Sequence, residues 1–362
     1  MPLKIGFHSN ALTLRGTEIA LYDYAFFNQT ILGNQSIIYY NPKVSINDVN
    51  VISKFKQQFE LIPYENFKTL DHLANSKKID AMYLIKSGER DERILNEVPC
   101  LIHAVFPQPP IEIHGHIYAF VSEWLSKEHS NFKTPYVPHI TTLPNVQSNL
   151  RNVLNIPGNA LVLGCHGGHD SFNIEFAKNI VLKTLKMRSD LFFLFLNIAP
   201  FGDHERLIFL KGNSSLDYKT QFINTCDAML HARNIGESFG LACAEFSIRN
   251  KPIITYALSP QRSHLEILGS KAITYLNSRQ LQEIILHMDI RWIKNHNWDC
   301  YSETFSPKKV MDKFHSVFLD PPMDATSKKT IFTPADTAFI QAFRLKRKWR
   351  TLLRKIYNQI YK

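Results

Sequence analysis

The stretch CDAMLHARNIGESFGLACAEFSIRNKPIITY, residues 226–256, decides the fold. CDAMLHA reads as a strand and RNIGE as a loop. Residues 239–248 read as a helix, with Ser238 as its N-cap and Asn-Lys-Pro stopping it before the strand KPIITY. Strand, loop, helix and strand in succession make a parallel α/β unit. On that frame Glu237 stands at the positive end of the helix, and Glu245 lies two turns further on, roughly 10 Å along the axis. An elongated nucleotide sugar would suit such a pair. Helix-start N–H groups favour its diphosphate, a carboxylate at each end accepts hydrogen bonds from sugar and ribose hydroxyls, and Gly236 and Gly240 let a ligand approach the backbone. The bare spacing also fits a capping Glu237 and a salt-bridged Glu245 on an ordinary helix.

Outward from this stretch the alternation continues. ALVLGCHGG (160–168) is a strand ending in two glycines, FNIEFAKNIVLKTLKM a helix, and LFFLFLNIA and RLIFLKG two more strands, with SLDYKTQFINT a helix before residue 226. The first part of the chain repeats the pattern. LKIGFHS (3–9) is a strand, NALTLRGTE a loop, and IALYDYAFFNQTIL a helix with Ile19, Tyr22, Ala25 and Phe26 on one face; QSIIYYN, IDAMYLI, PCLIHAVF and IYAFVSE are later strands. TPYVPHITTLP (134–144) reads as a last strand and linker. The expected fold is therefore α/β, two Rossmann-like halves facing each other across a cleft. Residues 1–145 form the first domain, 146–300 the second, 301–322 a helix returning to the first, and 323–362 a basic tail.

Composition supports this class. The 362 residues are 44% hydrophobic and 20% charged, as in globular proteins, and their number suits two domains. The beginning MPLKIGFHSN has no signal-peptide core, and LFFLFLNIA is half the length a bilayer crossing needs. Five scattered cysteines without C-x-x-C spacing indicate reduced thiols and a cytoplasmic setting. Eight of the 42 basic residues fall between Arg344 and Lys362, where no acid occurs, so 34 face 32 acidic residues in the rest. A nucleic-acid partner is thereby disfavoured, because the body is balanced and carries no recognition motif.

The whole string 226–256 resembles the donor-site segment of retaining glycosyltransferases of the GT-B fold, the family 4-like group. Its pattern sets two Glu with seven residues between them, then Lys-Pro and a strand. RGTEIALYDYA resembles the glycine loop and first helix of that family's acceptor domain, LIHAVF a strand ending in a histidine, and VLGCHGG the start of its donor domain. The resemblance implies transfer of a sugar from a nucleotide-diphosphate sugar to a glycan or lipid-linked acceptor with retention of configuration, without a metal or other cofactor. It implies a catalytic role for Glu237 and a donor-sugar contact for His103, with Glu245 on the ribose. Gly16, Thr17, Gly167, Gly168, Ser238, Phe239 and Gly240 would line the donor. The loop CHGGHDSFN lacks the Arg and Lys that relatives often place there, so Lys211, Arg233 and Arg15 are the candidates to neutralise the diphosphate. The same lack suggests an alternative, a catalytically idle GT-B relative that binds nucleotide or glycan as a scaffold. The pairs His166/His169 and His114/His116 lack the partners that a metal site needs. No carboxylate pair has the separation of a glycosidase.

In the tail, TPADTAFIQAFRLKRKWRTLLRKIYNQIYK opens with a Thr-Pro helix entry and sets Leu345, Trp349, Leu352, Leu353, Ile356 and Ile360 on one face amid basic residues. Such a helix over 335–362 would either lie on an anionic membrane, making the protein peripheral there, or pack on the protein with its charges solvated.

Overall fold

The computed structural model describes residues 2–321 and 332–360, without the side chains of 347, 350 and 354–360. The chain divides into two compact units, one holding residues up to Ile140 with Phe305–Phe343, the other Thr141–Thr304 with Arg344–Lys362.

Unit 1 contains β1 (Lys4–Ser9), β2 (Gln35–Tyr40), β3 (Glu60–Pro63), β4 (Ala81–Lys86), β5 (Cys100–Ala104) and β6 (Ile117–Phe120), in the order β3-β2-β1-β4-β5-β6. Every pairing is parallel. Runs such as AMYL and CLIHA are buried throughout, as strands covered by helices on both faces must be. Unit 2 contains β7 (Leu161–His166), β8 (Leu191–Leu196), β9 (Leu207–Leu210), β10 (Ala228–His231), β11 (Gly236–Glu237), β12 (Ile253–Tyr256), β13 (Gln261–Arg262) and β14 (Ile273–Tyr275). Its parallel sheet runs β14-β12-β10-β7-β8-β9, while β11 and β13 form a separate two-residue ladder. Numbered within each sheet, both units have the doubly wound order 3-2-1-4-5-6. The order reverses beside β1 and β4 in unit 1 and beside β7 and β10 in unit 2, where ligands of such sheets bind at the strands' carboxyl ends.

Several expectations need correction. Residues 134–144 form no strand; one bridge joins Tyr136 to Phe120, because Pro135, Pro138 and Pro144 have no N–H to extend a ladder. The first helix is Gly16–Thr30, so Gly16 and Thr17 begin the helix instead of forming a loop. Its buried residues are Ala20, Leu21, Tyr24, Ala25 and Asn28. Tyr22 is turned toward the rings of Phe55 and Phe59, 5.1 and 5.2 Å away, and stays half-exposed. The edge strands β3 and β14 were not anticipated.

Helix Pro307–Phe314 and the π-turn His315–Leu319 pack on unit 1, with Phe314 against Tyr24 and Tyr83, and Phe318 against Tyr83 and His103. The last helix is Pro334–Ile360. Among the described residues no helix is long and apolar enough to cross a membrane. The five cysteines are unpaired.

Candidate functional site

In unit 2 the carboxyl ends of β7 and β10 carry the acids singled out in the sequence and several residues that were not. The loop after β10 turns at Gly236, whose φ of +76° is a conformation that side chains disfavour. A Cβ there would stand 2.0 Å from the Gln261 carbonyl. This close approach lets Gly236 and Glu237 pair with Gln261 and Arg262, which fixes the Glu237 backbone.

Helix Leu241–Ile248 follows, starting two residues later than expected. Its N-cap is Gly240 at φ +96°, and no side chain caps it. The left-handed turn at Gly240 displaces Ser238 from the cap and leaves the first N–H groups for another acceptor. Phe239, expected to line the donor, turns its side chain inward against Tyr301 and is buried.

Glu237 is held at both oxygens. Arg233 Nη1 donates to Oε2 at 2.9 Å, and His231 Nε2 stands 3.2 Å from Oε1. Burial works to raise its pKa, but the Arg233 guanidinium, followed by the His231 contact, outweighs burial and holds it at about 2. The carboxylate is therefore ionised. Its partner at Oε1 must be an N–H. His231 Nδ1 stands 2.8 Å from the Thr255 hydroxyl, and Thr255 Oγ1 stands 3.0 Å from His264 Nε2. His264 Nδ1 is left as a buried nitrogen with no hydrogen-bond partner among the described residues. Burial, then the His231 ring, pushes the His264 pKa well down, which keeps this ring neutral. The β10 strand end, the middle of β12 and helix Ser263–Leu268 thus converge behind one carboxylate.

Glu245 is more enclosed, at 5% exposure. Lys219, buried on helix Leu216–Thr225, donates to Oε1. His166 Nε2, at the end of β7, stands 2.9 Å from Oε2 at an angle outside hydrogen-bond geometry. Burial works to raise the Glu245 pKa, but Lys219 and then His166 hold it at about 2. The carboxylate expected to face a ribose is thus already engaged by two side chains of its own unit.

Other expected positions are placed differently. Gly167 N–H donates to Leu196 O and Gly168 N–H to Ser171 Oγ, so neither amide is open for a phosphate. Arg233 is committed to Glu237. Lys211 is exposed beyond β9, the edge strand two places from the β7–β10 reversal. Arg15 and Gly16 are exposed at the start of the first helix in unit 1, where Thr17 and Thr13 donate to Glu18.

His103, expected to touch the donor sugar, lies inside unit 1. It is fully buried in unit 1, with Nδ1 2.6 Å from the Tyr83 hydroxyl and Nε2 2.8 Å from Val137 O. Burial lowers its pKa to about 4. Both ring nitrogens are thus engaged within unit 1, and the ring has no exposed surface.

The residues missed by sequence reading are Lys219, His231, Thr255 and His264. Their one sequence signal is a polar side chain inside an otherwise apolar strand or helix face. Among the described residues no group of three or more His, Cys, Asp or Glu is placed to hold a metal ion.

No family model matches the chain, and no curated protein matches it. Solved structures do. Anabaena Alr3699/HepE, in complex with UDP and glucose, superposes with a TM-score of 0.65 at 14% identity, covering 88% of this chain and 100% of its own. A glycosyltransferase from Rickettsia africae superposes with a TM-score of 0.61 at 13% identity, covering 88% and 99%. A Listeria monocytogenes protein described as a UDP-N-acetylglucosamine 2-epimerase does so with a TM-score of 0.56 at 8% identity, covering 89% and 98%. At these identities the likeness establishes architecture. With its two parallel six-stranded sheets, this chain has the GT-B fold.

Proposed function

We propose that the protein is a retaining glycosyltransferase of the family 4-like group that moves a sugar from a nucleotide-diphosphate sugar to a glycan or lipid-linked acceptor. The observation that carries this reading is Glu237. It is an ionised, doubly anchored carboxylate beside an uncapped helix start, at the carboxyl end of β10 where the strand order reverses. The uncapped N–H groups receive the diphosphate, and Glu237 accepts from sugar hydroxyls and stabilises positive charge developing at the anomeric carbon. The bond from that carbon to the diphosphate oxygen breaks, its electron pair leaving with the nucleotide. The acceptor oxygen bonds to the same face of the sugar, and its proton passes to the departing phosphate. The resemblance of residues 226–256 supports retention, and the solved GT-B proteins with bound UDP support the donor class. Serving as a transferase without a metal is part of the same reading.

The His264–Thr255–His231 chain gives Glu237 a fixed orientation. Its members are positioning residues, since each reaches the sugar only through the carboxylate.

A second reading is favoured by the Lys219–Glu245–His166 cluster and the engaged glycine amides. In it the protein binds a nucleotide or glycan as an idle scaffold. One experiment separates the two. A panel of nucleotide sugars is titrated by calorimetry and followed for release of nucleoside diphosphate. Transfer activity predicts a donor that is bound and turned over; the scaffold predicts binding with no release. A panel that yields neither binding nor release contradicts both.

A further inference from the structure

The last helix combines a fixed root with a stretch beyond it whose described apolar side chains are exposed. Thr333 donates through N and Oγ1 to Asp336, and Asn131 Nδ2 donates to the same carboxylate at 2.9 Å. Ile340 is buried one turn later. From Leu345 onward the apolar side chains come out of cover: Leu345 is 59% exposed, Trp349 63%, Leu352 47% and Leu353 42%. At about 100° per residue these four share a stripe roughly 100° wide. Arg344 and Lys348 flank it on one side and Lys346 on the other, all three exposed. The positions of 347, 350, 354 and 355, also basic, add charge to the same segment, and no acid occurs between 344 and 362. Ile356 and Ile360 continue the sequence pattern, but their side chains lie outside the described residues.

A helix of this make-up belongs in an interface where one side is apolar and the other is negatively charged. A protein surface of ordinary mixed charge would not complement so one-sided a charge distribution. A tryptophan in the stripe fits the boundary between headgroups and acyl chains. We infer that residues 344–360 dock on an anionic lipid surface, with Leu345, Trp349, Leu352 and Leu353 entering the headgroup boundary and the basic flanks meeting lipid phosphates. The docked root at Asn131 and Asp336 ties unit 1 to that surface. The inference stands apart from the proposed transfer reaction and is tested without it.

The full chain is mixed with sedimentable vesicles of phosphatidylcholine, with or without about a third phosphatidylglycerol. Binding should be at least about tenfold stronger to the anionic vesicles and weaken as salt is raised. Arg344→Glu with Lys348→Glu should reduce it about tenfold, and Trp349→Glu with Leu352→Glu should abolish it, while circular dichroism and the melting temperature stay unchanged. Equal binding to both vesicle types, or none to either, overturns the inference before any variant is made. Light scattering supplies the remaining test. A wild-type dimer that Trp349→Glu with Leu352→Glu converts to a monomer, with no effect of vesicles, would show that a second copy covers the stripe instead.

Discussion

His103, at the carboxyl end of β5 in unit 1, is engaged at both ring nitrogens inside the unit, by Tyr83 and by the Val137 carbonyl. His231, at the carboxyl end of β10 in unit 2, passes one nitrogen to Thr255 and brings the other to a carboxylate that retains some exposure. The same contrast holds more widely. His8 and His139 are also buried in unit 1, and their pKa values lie near 3, chiefly through desolvation. In unit 2 the histidines His166 and His231 each stand beside an ionised glutamate. One sheet order thus serves two electrostatic designs: buried neutral rings in unit 1, and in unit 2 histidine–carboxylate pairs at strand ends with a single buried neutral ring, His264, behind them.

The largest test of that contrast is acid. A buried histidine with a lowered pKa stabilises the fold above its unfolded value near 6.5, and that stability is lost as pH falls toward the folded value. With His8, His103 and His139 taken together, unit 1 should lose about 4 kcal/mol per pH unit once well below 6.5, on the order of 8 kcal/mol by pH 4.5. In unit 2 His264 alone acts in the same sense, and Glu237 and Glu245, held near 2, lose their contribution only between about 4.5 and 2, so the loss above pH 4.5 falls mainly on unit 1. Hydrogen exchange read across a pH series should therefore show unit 1 opening first. Simultaneous opening of both units, or loss confined to pH below 4.5, breaks the comparison.

Next in size is Glu245→Ala, which strands Lys219 in a buried site. Removing one partner of such a pair costs about 3–5 kcal/mol, so the melting temperature should fall sharply. With the ribose contact that the resemblance implies for Glu245, the same variant should also weaken nucleoside diphosphate binding. A variant that loses affinity with unchanged stability would show that Lys219 is not dependent on this acid.

Thr255→Val interrupts the chain behind Glu237 and leaves His231 Nδ1 and His264 Nε2 without their shared partner. About 1–3 kcal/mol of stability should go with it. Turnover should fall while donor affinity holds, and its pH profile should shift because His231 Nδ1 no longer has the Thr255 hydroxyl as a partner. A purely structural role for Thr255 would leave that profile alone.

Smallest is Gly240→Ala. The φ of +96° disfavours any side chain, and the new Cβ would lie 3.1 Å from His264 Cβ and 3.3 Å from Glu237 Cβ. A cost of about 1–2 kcal/mol is expected from denaturant titration. No change would show that this turn relaxes freely and does not fix the helix start.

The strands were legible because buried parallel strands are long apolar runs, as LFFLFL shows. β3 and β14 escaped because edge strands are short and half-polar. The helix start was misplaced because Ser238 satisfies capping statistics, whereas the backbone chose the left-handed glycine two residues on. Within the site, the spacing of Glu237 and Glu245 could be read from one segment. Their partners could not, since Lys219 lies 26 positions from Glu245, and His264 meets His231 by ring contact and through Thr255 on another strand. The contacts of His103 could not be read either, because a histidine at a strand end looks alike in sequence whether it faces a ligand or Tyr83.

The central claim is that Glu237 acts on the donor sugar and not merely as an ion-pair partner of Arg233. Its most direct test is Glu237→Gln, measured both for turnover of a donor that the wild type uses and for nucleoside diphosphate affinity by calorimetry. Turnover should be lower by about 10²–10³ with affinity changed by no more than about threefold, because the acid matters in the transition state while the diphosphate is held by the helix start. Near-normal turnover, or turnover and affinity falling together, would contradict it.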